Sequence, residues 1–147
     1  MKTYNNIEEV KKDIVDGILK VNDDIEINFD GFEIDADVIC HNIHSKGGRR
    51  SITARNINAL DINVLDINAR NITAWDINAW NITALDISYY AVCFAYSNIR
   101  CKSISGRRIN AKHFCLDGEI TYKTEKEDKT EEAINLLKEK GYKIIKE

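Results

Sequence analysis

Isoleucine recurs at every fifth position through the middle of the chain, a period that belongs to neither regular secondary structure. The series is Ile52, Ile57, Ile62, Ile67, Ile72, Ile77, Ile82 and Ile87, and Val92 follows in step. In an α-helix, five steps of about 100° carry a side chain roughly 140° past a full turn, so these residues would scatter around the helix. A helical conformation would therefore bury no continuous apolar stripe.

A polar and a small residue accompany each isoleucine in a fixed order. From Ile57 to Ile87, Asn or Asp stands directly before the isoleucine, and Ala, Val or once Tyr89 stands two positions after it. In extended backbone, residues two apart point to the same side, so the isoleucine and the small residue share one interior. Asp and Asn suit the corners between such segments because their side chains bond nearby backbone groups. The pattern predicts an all-β fold in which the chain winds as a β-solenoid.

The unit x-[D/N]-I-[N/T/S]-A resembles the repeat of the pentapeptide-repeat family, in which Asp or Asn also precedes the residue that fills the core. The family has a small residue at the first position of its motif. Here that position holds Arg55, Leu60, Leu65, Arg70, Trp75, Trp80 and Leu85. The resemblance implies a right-handed quadrilateral β-helix of about twenty residues per coil. On such a coil Arg55 would lie against Trp75, Leu60 against Trp80 and Arg70 against Tyr90.

Imperfect repeats extend the predicted solenoid on both sides of the strict series. The positions before it are Ile34, Val38 and Ile43, which precede a glycine loop at 46–50. After two extra residues, the five-residue step resumes with Ile99, Ile104, Ile109 and Phe114. The large side chains of Tyr89, Val92 and Phe94 are expected to fill interior positions, so this coil should be wider than the others.

Short α-helices are predicted at both ends, where they would cover the exposed strand edges of a solenoid. Near the start, helical spacing connects Ile7, Val10, Ile14 and Ile18. Asn6 and Glu9 are placed as a capping box, and Gly17 lies near the predicted end. Near the finish, Thr130 is placed to cap a helix that contains Ala133, Ile134 and Leu137 and that Gly141 ends.

The predicted organisation has three parts. They are an N-terminal helical cap at 1–24, a β-solenoid at 25–122, and a C-terminal linker, helix and short strand at 123–147. Within this scheme, residues 119–124 alternate as a strand, 125–129 form an exposed connection and 142–146 form the short strand. A chain of 147 residues is long enough for one core of this kind and too short for two.

Charge is segregated along the chain. Residues 1–37 carry four lysines and eleven acidic side chains, whereas 38–116 carry ten basic and four acidic ones, so the net charges are −7 and +6. A basic body with acidic ends can attract anions or acidic partners.

No apolar run approaches the roughly 18 residues of a transmembrane helix, and no apolar signal segment follows the first residues. We therefore expect a cytoplasmic protein with no membrane association.

No residue pattern indicates catalysis or metal binding. The four cysteines form no C-x-x-C pair, so we expect free thiols. Cys40 and Cys101 fall at the small interior position, which packing explains, and the spacing of Cys40, His41 and His44 fits no standard zinc site. The aspartates of the repeat alternate with asparagine, which favours a structural role over acid–base or calcium chemistry. We predict no catalytic residue, no metal and no cofactor.

The surface residues indicate a macromolecular partner. Trp75 and Trp80 share a repeat position with Arg55 and Arg70, and a position that accepts arginine cannot be wholly interior. Exposed Trp and Leu beside arginine are typical of protein interfaces, although Trp75 covering Arg55 as an intramolecular cation–π pair is the alternative. Basic residues late in the solenoid also suit phosphate, so a nucleic-acid partner stays open. The candidate partner-binding residues are Arg49, Arg50, Arg70, Trp75, Trp80, Tyr90, Arg100, Arg107 and Arg108.

We predict a non-catalytic binding protein whose solenoid surface engages a macromolecule, first of all a protein, with self-association into a homodimer as one form. Members of the pentapeptide-repeat family are mostly non-enzymatic, and the best-understood ones are dimeric, acidic mimics of duplex DNA. The charge of +6 on the solenoid body disfavours such mimicry here. The alternative is a phage or mobile-element inhibitor or protector of a nucleic-acid enzyme, such as DNA gyrase or a CRISPR effector. Abundant Ile and Asn without Pro suit a compact bacterial or phage protein.

Overall fold

The computed structural model describes residues 1–48, 50–143 and 145. Its strands wind a β-solenoid of about six coils with a short helix near each end, which confirms the predicted fold class. In chain order the elements are β1 (Lys2–Tyr4), α1 (Ile7–Lys12), β2 (Ile14–Val15), β3 (Ile18–Lys20), β4 (Ile25–Ile27), β5 (Phe32–Glu33), β6 (Asp37–Ile39), β7 (Asn42–Ser45), a 3₁₀ turn (Lys46–Gly48), β8 (Ile52–Thr53), β9 (Asn56–Asn58), β10 (Asp61–Asn63), β11 (Asp66–Asn68), β12 (Asn71–Ala79), β13 (Asn81–Thr83), β14 (Asp86–Ala95), β15 (Ile99–Cys101), β16 (Ser103–Gly106), β17 (Lys112–Cys115), β18 (Ile120–Tyr122) and α2 (Glu125–Glu139).

The strands stack in parallel into three faces. Face I contains β1, β4, β7, β10, the second halves of β12 and β14, and β17. Face II contains β3, β6, β9, the first halves of β12 and β14, and β16, and β2 pairs antiparallel with β3. Face III contains β5, β8, β11, β13, β15 and β18. Because β12 and β14 continue around a corner, faces I and II form one sheet.

One coil of the strict repeat contains fifteen residues. Ile57 pairs with Ile72, Ile72 with Ile87, and Ile62 with Ile77, each fifteen positions apart. The quadrilateral coil of about twenty residues is therefore wrong, and so are the side-chain stackings predicted from it. A five-residue period sets the length of one side but leaves the corner angle free, so three corners of about 120° close a coil as well as four of about 90°. The right-handed winding stays a prediction.

The isoleucines form the interior of this triangular solenoid, as predicted. Every one from Ile52 to Ile87 is 1 % exposed, and each fully buried isoleucine contributes roughly 1.5 to 3 kcal/mol. The earlier positions Ile34, Val38 and Ile43 are buried as well. Cys40 and Cys101 occupy the small interior position and are buried. The core is therefore a continuous column of branched aliphatic side chains alternating with small ones.

The polar residue before each isoleucine forms a ladder outside the core. The side-chain amide of Asn71 donates to Oδ1 of Asn56 at 3.0 Å, and Asn56 donates to Oδ1 of Asp37 at 2.8 Å. On face III, Asn81 donates in the same way to Asp66 at 3.0 Å. Asn supplies the donor in each of these bonds, and an Asp or Asn oxygen of the neighbouring coil accepts, which suits both residue types to this position.

The coil after Ile87 departs from the expected pattern. Tyr89 is buried as predicted, but Val92 and Phe94 point outward, and Cys93 and Ala95 take the interior positions. The extra residue Ala91 causes this change, because the pairing register shifts there and reverses the alternation that follows.

The last coil also departs from the resumed five-residue step. Ile104 packs against the core, but Ile109 is fully exposed and Phe114 is 45 % exposed, so these two were predicted wrongly as interior residues. A turn between β16 and β17 contains Ile109, and His113 and Cys115 face inward on β17 instead. The inserted turn therefore moves the interior positions away from the five-residue series.

The N-terminal helix is shorter than predicted. The Glu9 backbone amide donates to Oδ1 of Asn6 at 3.0 Å, which confirms Asn6 as the N-cap. The Glu9 carboxylate reaches back as predicted, but it accepts from the Asn6 side-chain amide and the Asn5 backbone amide and not from the Asn6 backbone. The helix ends at Lys12, and Ile14 and Ile18 belong to a β2–β3 hairpin. Asp16 and Gly17 both have positive φ in its turn, a conformation incompatible with helix.

The C-terminal helix is longer than predicted and lies beside the solenoid. It begins at Glu125, so the proposed connection at 125–129 is wrong, and Gly141 ends it with φ of 84° as expected. Its Glu131 pairs with Arg100 of β15 and with Lys123, which follows β18. Of the strand predicted at 142–146, residues 144 and 146 lie outside the described residues, and 142, 143 and 145 form no strand.

Candidate protein-binding surface

Aromatic side chains occupy both corners that border face I. At the corner between faces II and I, backbone hydrogen bonds stack His41, Leu60, Trp75, Tyr90 and Arg108 in successive coils. At the corner between faces I and III, they stack Arg50, Leu65 and Trp80, and Tyr96 follows in the next coil. The side chains at these corners point away from the core, so they are exposed or partly exposed.

The aromatic rings stack along the solenoid axis. The ring centroids of Trp75 and Tyr90 are 5.2 Å apart, and those of Trp80 and Tyr96 are 5.6 Å apart with an interplanar angle of 17°. Phe94 lies between the corners, 4.7 Å from Tyr96 and 5.0 Å from Phe114. Pairs of this kind stabilise by about 0.5 to 1.5 kcal/mol beyond their buried area, so the rings hold one another in place.

Together these side chains form one apolar surface on the last three coils of face I. We call it the aromatic face, and it consists of Trp75, Trp80, Tyr90, Val92, Phe94, Tyr96 and Phe114. The two tryptophans are 54 % and 49 % exposed, and Tyr90, Val92 and Tyr96 are 38–40 % exposed. Scattered surface apolar residues are ordinary, whereas several exposed aromatic side chains on one face are typical of an interaction site.

The structure brings together five of the predicted partner-binding residues. Trp75, Trp80 and Tyr90 belong to the aromatic face, and Arg108 follows Tyr90 in its corner column. Arg107 lies beside them, because its guanidinium donates to the carbonyl of Ala74 at 2.9 Å.

Three other candidates lie elsewhere. Arg50 pairs with Asp30 at 2.8 Å near the start of the solenoid. Arg70 lines the groove between α2 and the corner of faces II and III, and Arg100 pairs with Glu131 of α2. Arg49 lies outside the described residues. The described part of the predicted set therefore divides into a group at the aromatic face, two arginines near α2, and Arg50, which lies two coils before Trp80 in the same corner column.

Three surface residues, Phe94, Tyr96 and Phe114, do not follow from the sequence pattern. Phe114 falls in the five-residue series and Phe94 stands two positions after Val92, so the repeat predicts both as interior residues. For Phe94, the signal that indicates an outward position is the pair of small residues beside it: Cys93 and Ala95 offer small interior side chains one position out of step. Tyr89 already fills the interior of this coil, which leaves little room for the Phe94 ring as well.

Charges are also ordered along face I. Backbone pairing places Asn42, Asp61, Asp76, Val92 and Lys112 in one outward column. The column is therefore acidic before the aromatic face and basic after it. Among the described residues, none forms an ion pair with Asp61, Asp76, Arg108 or Lys112.

The cysteines are poorly suited to reaction. Burial raises the pKa of the Cys40 and Cys93 thiols to about 12 and that of Cys101 to about 11. The thiolate is the reactive form, so it is scarce at neutral pH. The Tyr89 hydroxyl lies 2.8 Å from Nδ1 of His113, which gives both inward polar groups a partner. These residues therefore act as parts of the core.

One cluster has the residue types of a metal site. Across the described residues, only Asp23, Asp24 and His41 bring three ligand atoms within 4.8 Å of one another. Asp23 accepts from the Met1 amino group, and Asp24 accepts from the Asn42 side chain at 2.8 Å. Both carboxylates thus have partners within the chain, and exposed groups of this kind are common without a metal.

A groove of about 590 Å³ separates α2 from the solenoid. Basic Arg55, Arg70 and Lys123 line one side, and acidic Glu131 and Glu132 of α2 line the other. Opposite charges face each other across the groove, so the charges that line it largely neutralise one another.

The comparisons with known proteins give no relative. No protein-family model, no curated protein and no solved structure matches this chain. The resemblance to the pentapeptide-repeat family accordingly rests on the repeat itself. In the part of the chain that the structure describes, no helix has both the length and the apolar character needed to cross a membrane.

Proposed function

We propose that this chain is a non-catalytic binding protein and that the aromatic face is the surface on which a protein partner docks. The observation that carries the proposal is the concentration of partly exposed aromatic rings on one face of the β-solenoid, in two contacting groups: Trp75 with Tyr90, and Trp80 with Tyr96, Phe94 and Phe114. Trp, Tyr and Phe are enriched in the central residues of protein interfaces, because each buries a large area at a small cost in side-chain entropy. Arg107 and Arg108 beside the cluster add the other residue type typical of such sites.

The area supports binding of moderate strength. An aromatic side chain buries about 150 to 250 Å², so five rings that are 40–54 % exposed still offer roughly 450 Å². At about 25 cal/mol per Å², covering them gives some 11 kcal/mol, and association costs about 4 to 15 kcal/mol. The aromatic face therefore supplies most of the energy of a complex, and polar contacts at its edge complete it.

The ring orientations favour a protein over a single-stranded nucleic acid. Base stacking requires an accessible ring face. In the corner column, Leu60 and Tyr90 stand on either side of Trp75, and Leu65 and Tyr96 stand on either side of Trp80. A tyrosine ring therefore covers one face of each indole, which leaves less ring face for a base and suits packing against apolar side chains.

The tryptophans make the proposal measurable, because the chain contains only two and both belong to the aromatic face. A partner that docks there should shift their fluorescence to shorter wavelength and protect them from acrylamide. The bait is the full chain, and the variant is Trp75→Ser with Trp80→Ser. The matched control is Leu136→Ser with Leu137→Ser on α2, which removes two apolar side chains of similar exposure.

The expected result is a partner that the wild type and the α2 control retain and the tryptophan variant loses, with protected indole fluorescence in the complex. Retention at high salt would agree with an apolar contact, whereas steep loss would indicate a polyanion. Retention of the same partner by the tryptophan variant, or fully quenchable indoles in the complex, would disprove docking on this surface.

A further inference from the structure

We infer that the aromatic face binds a second copy of this chain, face I against face I with the solenoid axes antiparallel, which rests on the protein-binding function proposed above. The inference comes from the order of charges around the aromatic residues. A two-fold interface requires that a surface be complementary to itself. Face I meets that requirement in one orientation only.

The outward column of face I changes sign across β14. Asp76 on β12 pairs with Val92 on β14, and Val92 pairs with Lys112 on β17, so acid and base lie one coil to either side of Val92. Neither charged group has an ion-pair partner among the described residues. Both are therefore available to a surface that approaches face I.

An axis parallel to β14 that passes through Val92 reverses the order of coils in the second copy. Each outward column then faces the same column of the second copy with the order of its residues reversed. Lys112 of each copy therefore lies opposite Asp76 of the other, and the dimer contains this pair twice. The corner column behaves in the same way: Arg108 follows Tyr90 and Trp75 precedes it, so the guanidinium approaches the indole of the second copy. Phe94 and Tyr90 meet their own counterparts at the centre.

The parallel alternative fails on the same charges. If the solenoid axes pointed in one direction, coils of equal number would face each other. A two-fold axis along the solenoid also exchanges the two edges of face I, so Lys112 would face the Phe114 column of the second copy and Asp76 would face the Asn78 column. Neither charge would then meet an opposite one, so electrostatics selects the antiparallel orientation.

The size of the surface sets the expected strength. The aromatic rings offer roughly 450 Å², and Asp76, Asn78, Arg108 and Lys112 add about 200 to 300 Å². The total of roughly 700 Å² per protomer is slightly less than the roughly 800 Å² of a standard interface. We expect a reversible dimer with a dissociation constant on the order of 10 μM.

Charge exchange tests the orientation directly. Asp76→Lys and Lys112→Glu should each weaken dimerisation about tenfold or more in sedimentation equilibrium. An equimolar mixture of the two variants should form heterodimers at least as strong as the wild type. In such a heterodimer the lysine introduced at position 76 faces the glutamate introduced at position 112, and the unchanged Lys112 of one copy faces the unchanged Asp76 of the other. Asp61→Lys is the matched control: it changes an unpaired aspartate of the same column that lies beyond the overlap, so dimerisation should change less than about threefold.

The mixture also separates charge from misfolding. The Asp76 carboxylate accepts a hydrogen bond from the Val92 amide at 3.0 Å, so its replacement has a local cost in stability. A misfolded variant would not recover association when mixed with the other one. Full recovery supports the antiparallel dimer, and no recovery with two folded variants overturns it.

A cysteine on the axis provides a second test. Val92→Cys places each new thiol opposite its counterpart, so mild oxidation should link two copies. Asn58→Cys, which is exposed on face II, is the control and should give at most about a tenth of that cross-linking. A wild type that stays monomeric at about 300 μM, or equal cross-linking of both variants, would overturn the inference. In that event, loss of a different protein by the tryptophan variant would still uphold the proposed function.

Discussion

The backbone amide of Trp75 donates a 2.7 Å hydrogen bond to the carbonyl of Leu60, fifteen residues earlier. The amide of Arg70 makes the equivalent bond to Arg55, also at 2.7 Å. One coil of the repeat is thus closed by three sides, and neighbours along the axis are fifteen positions apart.

A pair of engineered cysteines should report this spacing. Asn58 and Thr73 pair directly on face II, so Asn58→Cys with Thr73→Cys should form an intramolecular disulfide, since paired strand residues lie within the Cα distances that disulfides span. Thr53→Cys with Thr73→Cys is the matched control with twenty residues between the sites. Intact mass after oxidation at low protein concentration measures both. Disulfide formation only between positions 53 and 73 would mean that one coil contains twenty residues and has four sides.

The sequence could predict the solenoid but not its cross-section. The isoleucine period shows where straight segments and corners recur, and the interior positions of Ile52 to Ile87 follow from it. The corner angle depends on how side chains of three or four walls fill the interior together, which is a property of packing between coils. Four identical sides and three identical sides produce the same five-residue period.

Buried and displaced isoleucines should differ sharply in their contribution to stability. Ile67→Ala removes a side chain that is 1 % exposed, and we expect a loss of about 2 to 5 kcal/mol in the free energy of unfolding. Ile109→Ala changes a fully exposed side chain of the same type, so its effect should stay within about 0.5 kcal/mol. Urea unfolding followed by circular dichroism gives both values. Equal losses would mean that Ile109 belongs to the core after all.

The candidate site was predicted in part, and the missing part has a definite cause. The repeat position of Trp75 and Trp80 also holds arginine, which correctly places both tryptophans at the surface. Phe94 and Phe114 could not be placed in this way, because Ala91 and the turn after Gly106 alter the alternation without changing the composition. Which corners border the same face depends on the number of sides, so the cluster itself could not be predicted.

Alkaline pH should destabilise the fold through its buried thiols. The folded-state pKa is raised to about 12 for Cys40 and about 11 for Cys101, so the unfolded chain releases these protons first. The contribution of these thiols to the free energy of unfolding is complete below the ordinary thiol pKa of about 8.5. It falls as the pH rises from there through the folded-state pKa values, by up to about 1.4 kcal/mol per pH unit for each thiol.

Alanine substitution checks this pH dependence. The repeat places alanine at the positions of Cys40 and Cys101, so Cys40→Ala with Cys101→Ala should fold and should show a shallower loss of stability between about pH 8.5 and about 10.5 in urea unfolding. The difference from wild type at each pH removes the background titration of lysine and tyrosine. Parallel curves for the two proteins would show that these thiols do not control the alkaline transition.

The attachment of α2 should depend on Glu131. Its Oε2 lies 3.0 Å from Nζ of Lys123, whose side chain is 6 % exposed, and its other oxygen pairs with Arg100 at 3.6 Å. Glu131→Ala leaves the buried ammonium without this partner, and because Glu131 is 46 % exposed we expect a cost of only about 1 kcal/mol.

Hydrogen exchange can locate that cost. If α2 is held mainly by this contact, exchange of the helical amides at 129–139 should accelerate about fivefold in Glu131→Ala, while the amides of Ile62 and Ile77 keep their protection. Glu132→Ala is the control, because Glu132 is an exposed neighbour on the same helix. Leu136 and Leu137 remain 52 % and 42 % exposed, so apolar packing gives the helix little further support. Equal acceleration in both variants would indicate a loss of helix propensity and not the loss of the Lys123 contact.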